Sequence, residues 1–126
     1  MRLSLLALGY TCPFEHGYSE KDMFYELRQY DIAQGKMEEW MAFMEGEIIP
    51  FQVGKGMVIA GSFRGEEDDG VYVWIRRFAS EEDRVRLYEA VYESDEWKNY
   101  FAPKCADVVT GVNVQRIVPG PGSVLQ

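Results

Sequence analysis

The chain has 126 residues, 47% hydrophobic and 14% aromatic, with 21 acids against 13 Lys and Arg and a formal net charge of −8. That length and apolar content suit one domain with a real core and argue against wholesale disorder. The acidic balance argues against nucleic acid and anionic membrane surfaces as partners, since both need a basic face, and no stretch approaches the roughly 20 apolar residues of a membrane span.

Met1 to Tyr10 places Arg2 ahead of Leu3, Leu5, Leu6, Ala7 and Leu8. The pattern is that of a stunted signal peptide, but the apolar run is short and no A-x-A cleavage site follows. Residues 1–22 therefore read as an N-terminal extension, or as sequence upstream of a natural start at Met23. Residues 23–118 read as the folded domain and 119–126 as a loose C-terminal tail. Cys12 and Cys105 are the only cysteines. Their separation gives neither a CxxC nor a metal spacing, so reduced thiols in a cytoplasmic protein are expected.

Phe24 to Tyr30 alternates as a strand, with Phe24, Glu26, Arg28 and Tyr30 on one side and Tyr25, Leu27 and Gln29 on the other. After Gly35-Lys36, a helical stripe runs through Met37, Trp40, Met41, Met44 and Ile48. Packing is the plainer role for its methionines. Pro50 is expected to kink or end the helix, and Gly54 and Gly56 mark a turn rather than a phosphate loop. Met57–Arg64 and Val71–Phe78 are predicted strands joined by Gly65–Gly70 as a hairpin. The acids of that connection lack the alternating spacing of a calcium loop. Ser80 with Asp83 predicts a capped helix start with an inner stripe of Leu87, Tyr88 and Val91. Ser94 predicts a second N-cap, ahead of an aromatic patch of Trp97, Tyr100 and Phe101 that Pro103 ends or kinks. Thr110–Val118 is the last predicted strand, and Pro119-Gly120-Pro121-Gly122 closes regular structure.

Strand, helix, strand, strand, helix, strand is the split βαβ order of a ferredoxin-like α+β fold, with both helices on one face of an antiparallel sheet. Tyr25, Leu27, Val71, Val73, Ile75, Val112 and Val114 suit the helix-covered face. Glu26, Arg28, Tyr30, Tyr72, Trp74, Arg76, Asn113 and Gln115 then fall on the opposite one. That face has too much aromatic surface for water and too many charges for a dry core. A second copy packed across it, leaving a polar-lined cavity, would reconcile the two.

Tyr25-Glu26-Leu27-Arg28-Gln29-Tyr30 with Gly35-Lys36 resembles the opening motif of the NIPSNAP family. Val73-Trp74-Ile75-Arg76-Arg77-Phe78, the Glu/Arg-rich helix that follows, and Ser94-Asp95-Glu96-Trp97-Lys98 resemble its bacterial branch. The resemblance spans Met23 to about Val118 and implies two ferredoxin-like βαββαβ protomers closing sheet against sheet as a dimeric α/β-barrel. It implies a homodimer and no assigned reaction.

His16, the only histidine, lies in the extension, which excludes a Ser-His-Asp triad within the domain and leaves no ligand cluster for haem or zinc. No cofactor and no metal are expected. The candidate pocket is Glu26, Arg28, Tyr30, Tyr72, Trp74 and Arg76. In it, Arg28 or Arg76 would hold an anionic group, Glu26 would act as general base, and Tyr30 or Tyr72 would donate. The same pattern also fits a structural ion pair between aromatics. The expected function is a homodimeric NIPSNAP-like domain that binds a small molecule or a protein partner in or near the barrel. The alternative is a cofactor-independent oxygenase or isomerase of the dimeric barrel type, and a purely structural interaction module is a third reading.

Overall fold

The structure, a computed structural model, describes residues 22–126. The expectations for the preceding residues, Cys12 and His16 among them, lie outside the described residues. Four strands form one sheet: β1 (Phe24–Ile32), β2 (Val58–Arg64), β3 (Val71–Phe78) and β4 (Val109–Ile117). Their order is β2-β3-β1-β4, and all three ladders are antiparallel. Of the two central strands, β3 (VYVWIRRF) is mostly β-branched or aromatic, as a two-sided pleated strand should be.

The first helical arm is α1 (Met37–Phe43), a π turn (Met44–Ile48) and α2 (Ile49–Gly54). Of the two outcomes expected at Pro50, a kink or an end, the end does not occur, and the chain stays helical through it. The Ile49 N–H bonds the Met44 carbonyl five residues back. Widening the turn just before the proline relieves the clash that its ring would otherwise make with the carbonyl four residues earlier. The same device recurs in the second arm. There α3 (Glu81–Tyr92) is followed by a π turn (Trp97–Phe101) and then α4 (Ala102–Val108), with Pro103 in the first turn of α4. The Ala102 N–H bonds the Trp97 carbonyl. Ser80 Oγ accepts the Asp83 N–H at 3.0 Å and Ser94 Oγ accepts the Trp97 N–H at 3.1 Å, so both predicted caps form.

Both arms lie on the same face of the sheet, but that face is the reverse of the one expected. Burial alternates strictly along β3, and the covered residues are Tyr72, Trp74, Arg76 and Phe78. With Phe24, Glu26, Arg28, Tyr30 and Ile32 of β1 they meet Met37, Trp40, Met44 and Ile48 from the first arm and Leu87 and Val91 from the second. Trp74 is wedged into this core at 2% exposure. The physical reason is size. Aromatic side chains bury about 150–250 Å² each, so the face carrying Phe, Tyr and Trp outcompetes the one carrying Tyr25, Leu27, Val71, Val73 and Ile75, even though its charges must go in with it. Val112 and Val114 were grouped with that smaller set, yet they stand opposite Tyr30 and Arg28 in the β1–β4 ladder and share the helix-side face.

The barrel expectation is also corrected. β2 and β4 are edges, each paired on one side only, so the sheet is open and unclosed. No described helix covers its outer face, on which Phe63 is 54% and Val58 51% exposed. Beyond β4, the Gln126 main-chain oxygen accepts from the Tyr25 hydroxyl at 3.0 Å and from Arg77 Nε at 3.2 Å.

Candidate functional site

The six candidate residues form three directly opposed pairs across β1 and β3: Glu26 with Arg76, Arg28 with Trp74, and Tyr30 with Tyr72. The shared face was read correctly; its direction was not. These side chains lie beneath the helices rather than in a chamber between two sheets.

Glu26 anchors the cluster. Its Oε1 accepts from Arg76 Nη2 at 2.7 Å, from Arg76 Nε at 3.1 Å and, more loosely, from Arg28 Nη1 at 3.5 Å. Its Oε2 accepts the Tyr88 hydroxyl. Burial alone would raise this carboxyl, but Arg76, then Arg28, then the Tyr88 hydrogen bond outweigh it and hold it down at about 2. This reverses the usual effect of burial because opposite charges in contact favour the ionised form. Arg76 is fully saturated. Its Nη1 also donates to Gln52 Oε1 at 2.7 Å and to the Tyr92 hydroxyl at 2.8 Å, and its guanidinium lies 4.6 Å from the Trp74 ring centre. Arg28 donates through Nε to the Tyr30 hydroxyl at 2.8 Å and through Nη1 to the Tyr88 hydroxyl at 3.3 Å.

Tyr72 takes a different partner, sharing a 2.7 Å hydrogen bond with Ser62 on β2, whose Oγ also donates to Glu45 at 2.8 Å. Burial pushes the Tyr30, Tyr72 and Tyr88 hydroxyls up, so all three stay protonated at neutral pH.

Three contributors escaped the sequence reading. Tyr92 shares the Tyr88 face of α3 one turn on, a spacing of four that could have flagged it. Gln52 follows Pro50, where a kink or an end of the helix was expected, so nothing marked it as inward. Ser62 lies on an edge strand with no distinguishing neighbour. The Trp97 and Phe101 rings are buried, and Phe101 stacks near Phe51 at 4.7 Å, joining the two arms. Tyr100 is exposed and donates to Glu47. Between the arms lies a groove of about 350 Å³ lined by Glu39, Trp40, Phe43, Lys104 and Asp107 among others. Among the described residues no group of three His, Cys, Asp or Glu side chains could hold a metal ion, and no helix is long and apolar enough to cross a membrane.

An open antiparallel sheet with two helical arms on one face and a charged cluster pinned between the layers defines a small α+β domain of split βαβ order. The NIPSNAP family profile matches residues 25–121, and the chain belongs to that family. Among solved structures, a NIPSNAP family protein of unknown function from Agrobacterium tumefaciens str. C58 superposes with a TM-score of 0.76 at 25% identity, covering 86% of this chain and 98% of that one. Another NIPSNAP family protein from the same organism gives 0.74 at 24% identity over 82% of this chain and 99% of that one. An uncharacterized NIPSNAP-like domain protein from Burkholderia xenovorans gives 0.74 at 21% identity over 82% and 90%. Comparison with curated proteins finds no match.

Proposed function

We propose that this NIPSNAP domain works in the cytoplasm as a pair of identical chains meeting over their uncovered sheet faces, and that each chain holds a small molecule at the Glu26–Arg28–Arg76 cluster. The observation that carries the pairing is the apolar character of the outer face. Phe63 on β2 stands opposite half-buried Val73, with half-buried Ile75 and Leu27 paired in the next row, while Val58 at 51% and Ile117 on β4 at 40% exposure lie at the two edges of the same face beside Arg77 and Tyr25. Contiguous apolar surface of this kind on a soluble chain marks an interaction site, and a self-complementary two-fold contact is the simplest way to cover it. Phe63 also lies over Gly61, where any Cβ would meet its ring at 2.5 Å.

For the cluster, binding is favoured over catalysis by the state of Glu26. With both oxygens engaged and its carboxyl held at about 2, Glu26 is a weak base at neutral pH. The oxygenase or isomerase reading therefore lacks its base.

Light scattering on the purified protein, run over a concentration series, tests the pairing. A mass twice the 14.5 kDa chain is expected, falling to a single chain for Phe63→Glu. A single chain at micromolar wild-type concentration would end the pairing reading. Native mass spectrometry of protein taken straight from cells, expected to show a co-purified small molecule, tests the ligand reading separately.

A further inference from the structure

Tyr25 does not fit the pattern of the outer face. Phe63, Val58 and Ile117 on that face are exposed, yet Tyr25 is only 5% exposed. It stands near the middle, in a row that crosses all four strands as Val58, Arg77, Tyr25 and Ile117. The far end of the chain comes to this row. The Tyr25 hydroxyl donates to the Gln126 main-chain oxygen at 3.0 Å, and Arg77 Nε, its neighbour in the row, donates to the same oxygen at 3.2 Å.

The residues that carry Gln126 there form a closed unit. The Ser123 N–H bonds the Gly120 carbonyl at 3.0 Å, and the Leu125 N–H bonds Ser123 Oγ at 3.2 Å. The Gln126 side chain closes the turn, its Nε2 donating to the Ser123 carbonyl at 2.6 Å and to the Gly120 carbonyl at 3.2 Å. This unit is tied to itself more firmly than to the sheet. Val124 and Leu125 are both exposed, so its apolar side chains bury little of the area that would fix a segment in place. The two hydrogen bonds at Gln126 can be exchanged for bonds to water at small net cost. A Cβ at Gly120 or Gly122, in the Pro-Gly-Pro-Gly link, would meet nothing within 4 Å, so the link has room to swing.

We propose that residues 119–126 are a displaceable strap. Seated on the outer face they oppose the pairing of two chains, and pairing proceeds when they lift away. This inference rests on the pairing reading above and adds its control. A partner sheet cannot reach the middle of the row while Gln126 lies on it. Lifting the strap uncovers the Tyr25 ring and adds aromatic area to what the partner covers. Strap and partner therefore compete for one surface. Only the released form pairs, so the apparent dissociation constant rises as the released fraction falls, and it does so for both chains at once.

Sedimentation velocity over a concentration series, on the full chain and two full-length variants, tests this. Gln126→Ala opens the strap's own turn and alters no residue of the sheet. Tyr25→Phe deletes one hydrogen bond of the seat and keeps the ring. Each should lower the dissociation constant of the pair at least about fivefold, because a shift of a few fold in seating counts once for each chain. A second reading is independent of pairing. In dilute, single chains the Tyr25 ring signals in a ¹H–¹³C aromatic spectrum should move between wild type and Gln126→Ala. Unchanged pairing in both variants, or Tyr25 signals that stay in place, would overturn the strap. Weaker pairing in Gln126→Ala would overturn it too, by placing the segment inside the contact between chains. If wild type and variants all remain single while the Tyr25 signals move, the pairing reading falls and the strap loses its role with it. If wild type pairs and the variants pair no better, the strap alone falls.

Discussion

Glu26 decides whether the core tolerates two arginines. Its side chain is 2% exposed, and its carboxyl is held at about 2 against an ordinary 4.5. A carboxyl depressed on folding contributes stability that is fully present above the ordinary value. That contribution is lost as pH falls through the folded value. The protein should therefore hold constant stability above about pH 5 and lose up to about 3 kcal/mol from this group between roughly pH 4.5 and 2. Urea melts across that range check it. Glu26→Gln should cost about 3–5 kcal/mol at pH 7, because it leaves both guanidiniums buried without a counter-charge. Its melts should also lack this group's share of the acid slope, which a loss of packing alone would not remove. Tyr88→Phe keeps the ring and deletes the charge-assisted hydrogen bond to Glu26 together with the longer ones accepted from Arg28 and Arg76, so a loss of at least about 1.5–3 kcal/mol is expected. It should raise the Glu26 carboxyl as well, visible in the ¹³C chemical shift of that side chain against pH.

At the scale of elements, the legible parts were those with local chemistry. Ser80 and Ser94 could be placed because a hydroxyl beside the four free N–H groups of a helix start satisfies a need that exists before any tertiary contact. Ser80→Ala should cost about 1 kcal/mol, and Ser80→Asp should recover most of it; thermal melts of the two variants give the comparison. The prolines were legible only as a kink or an end, for a complementary reason. A proline's effect on a helix is usually reckoned for an α turn, but in both arms the five residues Met44–Ile48 and Trp97–Phe101 open into a π turn and carry the chain through. Nothing in the residue pattern announces that widening, because its advantage lies in tertiary packing. It keeps Met44 and Ile48 pointed at the sheet and lets α2 deliver Gln52 to Arg76. The face inversion has a similar origin. Alternation along β1 and β3 shows which residues travel together, and it grouped all six cluster residues correctly. It cannot show which set turns inward when one face is aromatic and charged and the other aliphatic. The outcome depended on α3 supplying Tyr88 and Tyr92, whose hydroxyls make burial of Arg28 and Arg76 tolerable.

For the molecule as a whole, turning the aromatics inward leaves the aliphatic face outward, and that changes what a partner must cover. A cavity-forming polar face would have needed a second copy to satisfy charges. In the proposed pair, a second copy would instead remove Phe63, Val58 and Ile117 from water, each at least 40% exposed. Burial of apolar area contributes about 25 cal/mol per Å², and association costs several kcal/mol in lost freedom, so a pair of this kind is concentration-sensitive. That sensitivity gives a prediction separate from mass. If unfolding separates the chains, mass action makes the melting temperature climb with protein concentration. The wild-type midpoint should rise measurably between 1 and 100 micromolar, whereas Phe63→Glu should melt at one temperature throughout. Phe63 is already half exposed in the single chain, so the substitution removes little intrachain packing and its low-concentration midpoint should lie near that of the wild type. A flat wild-type midpoint over that range would overturn the pairing.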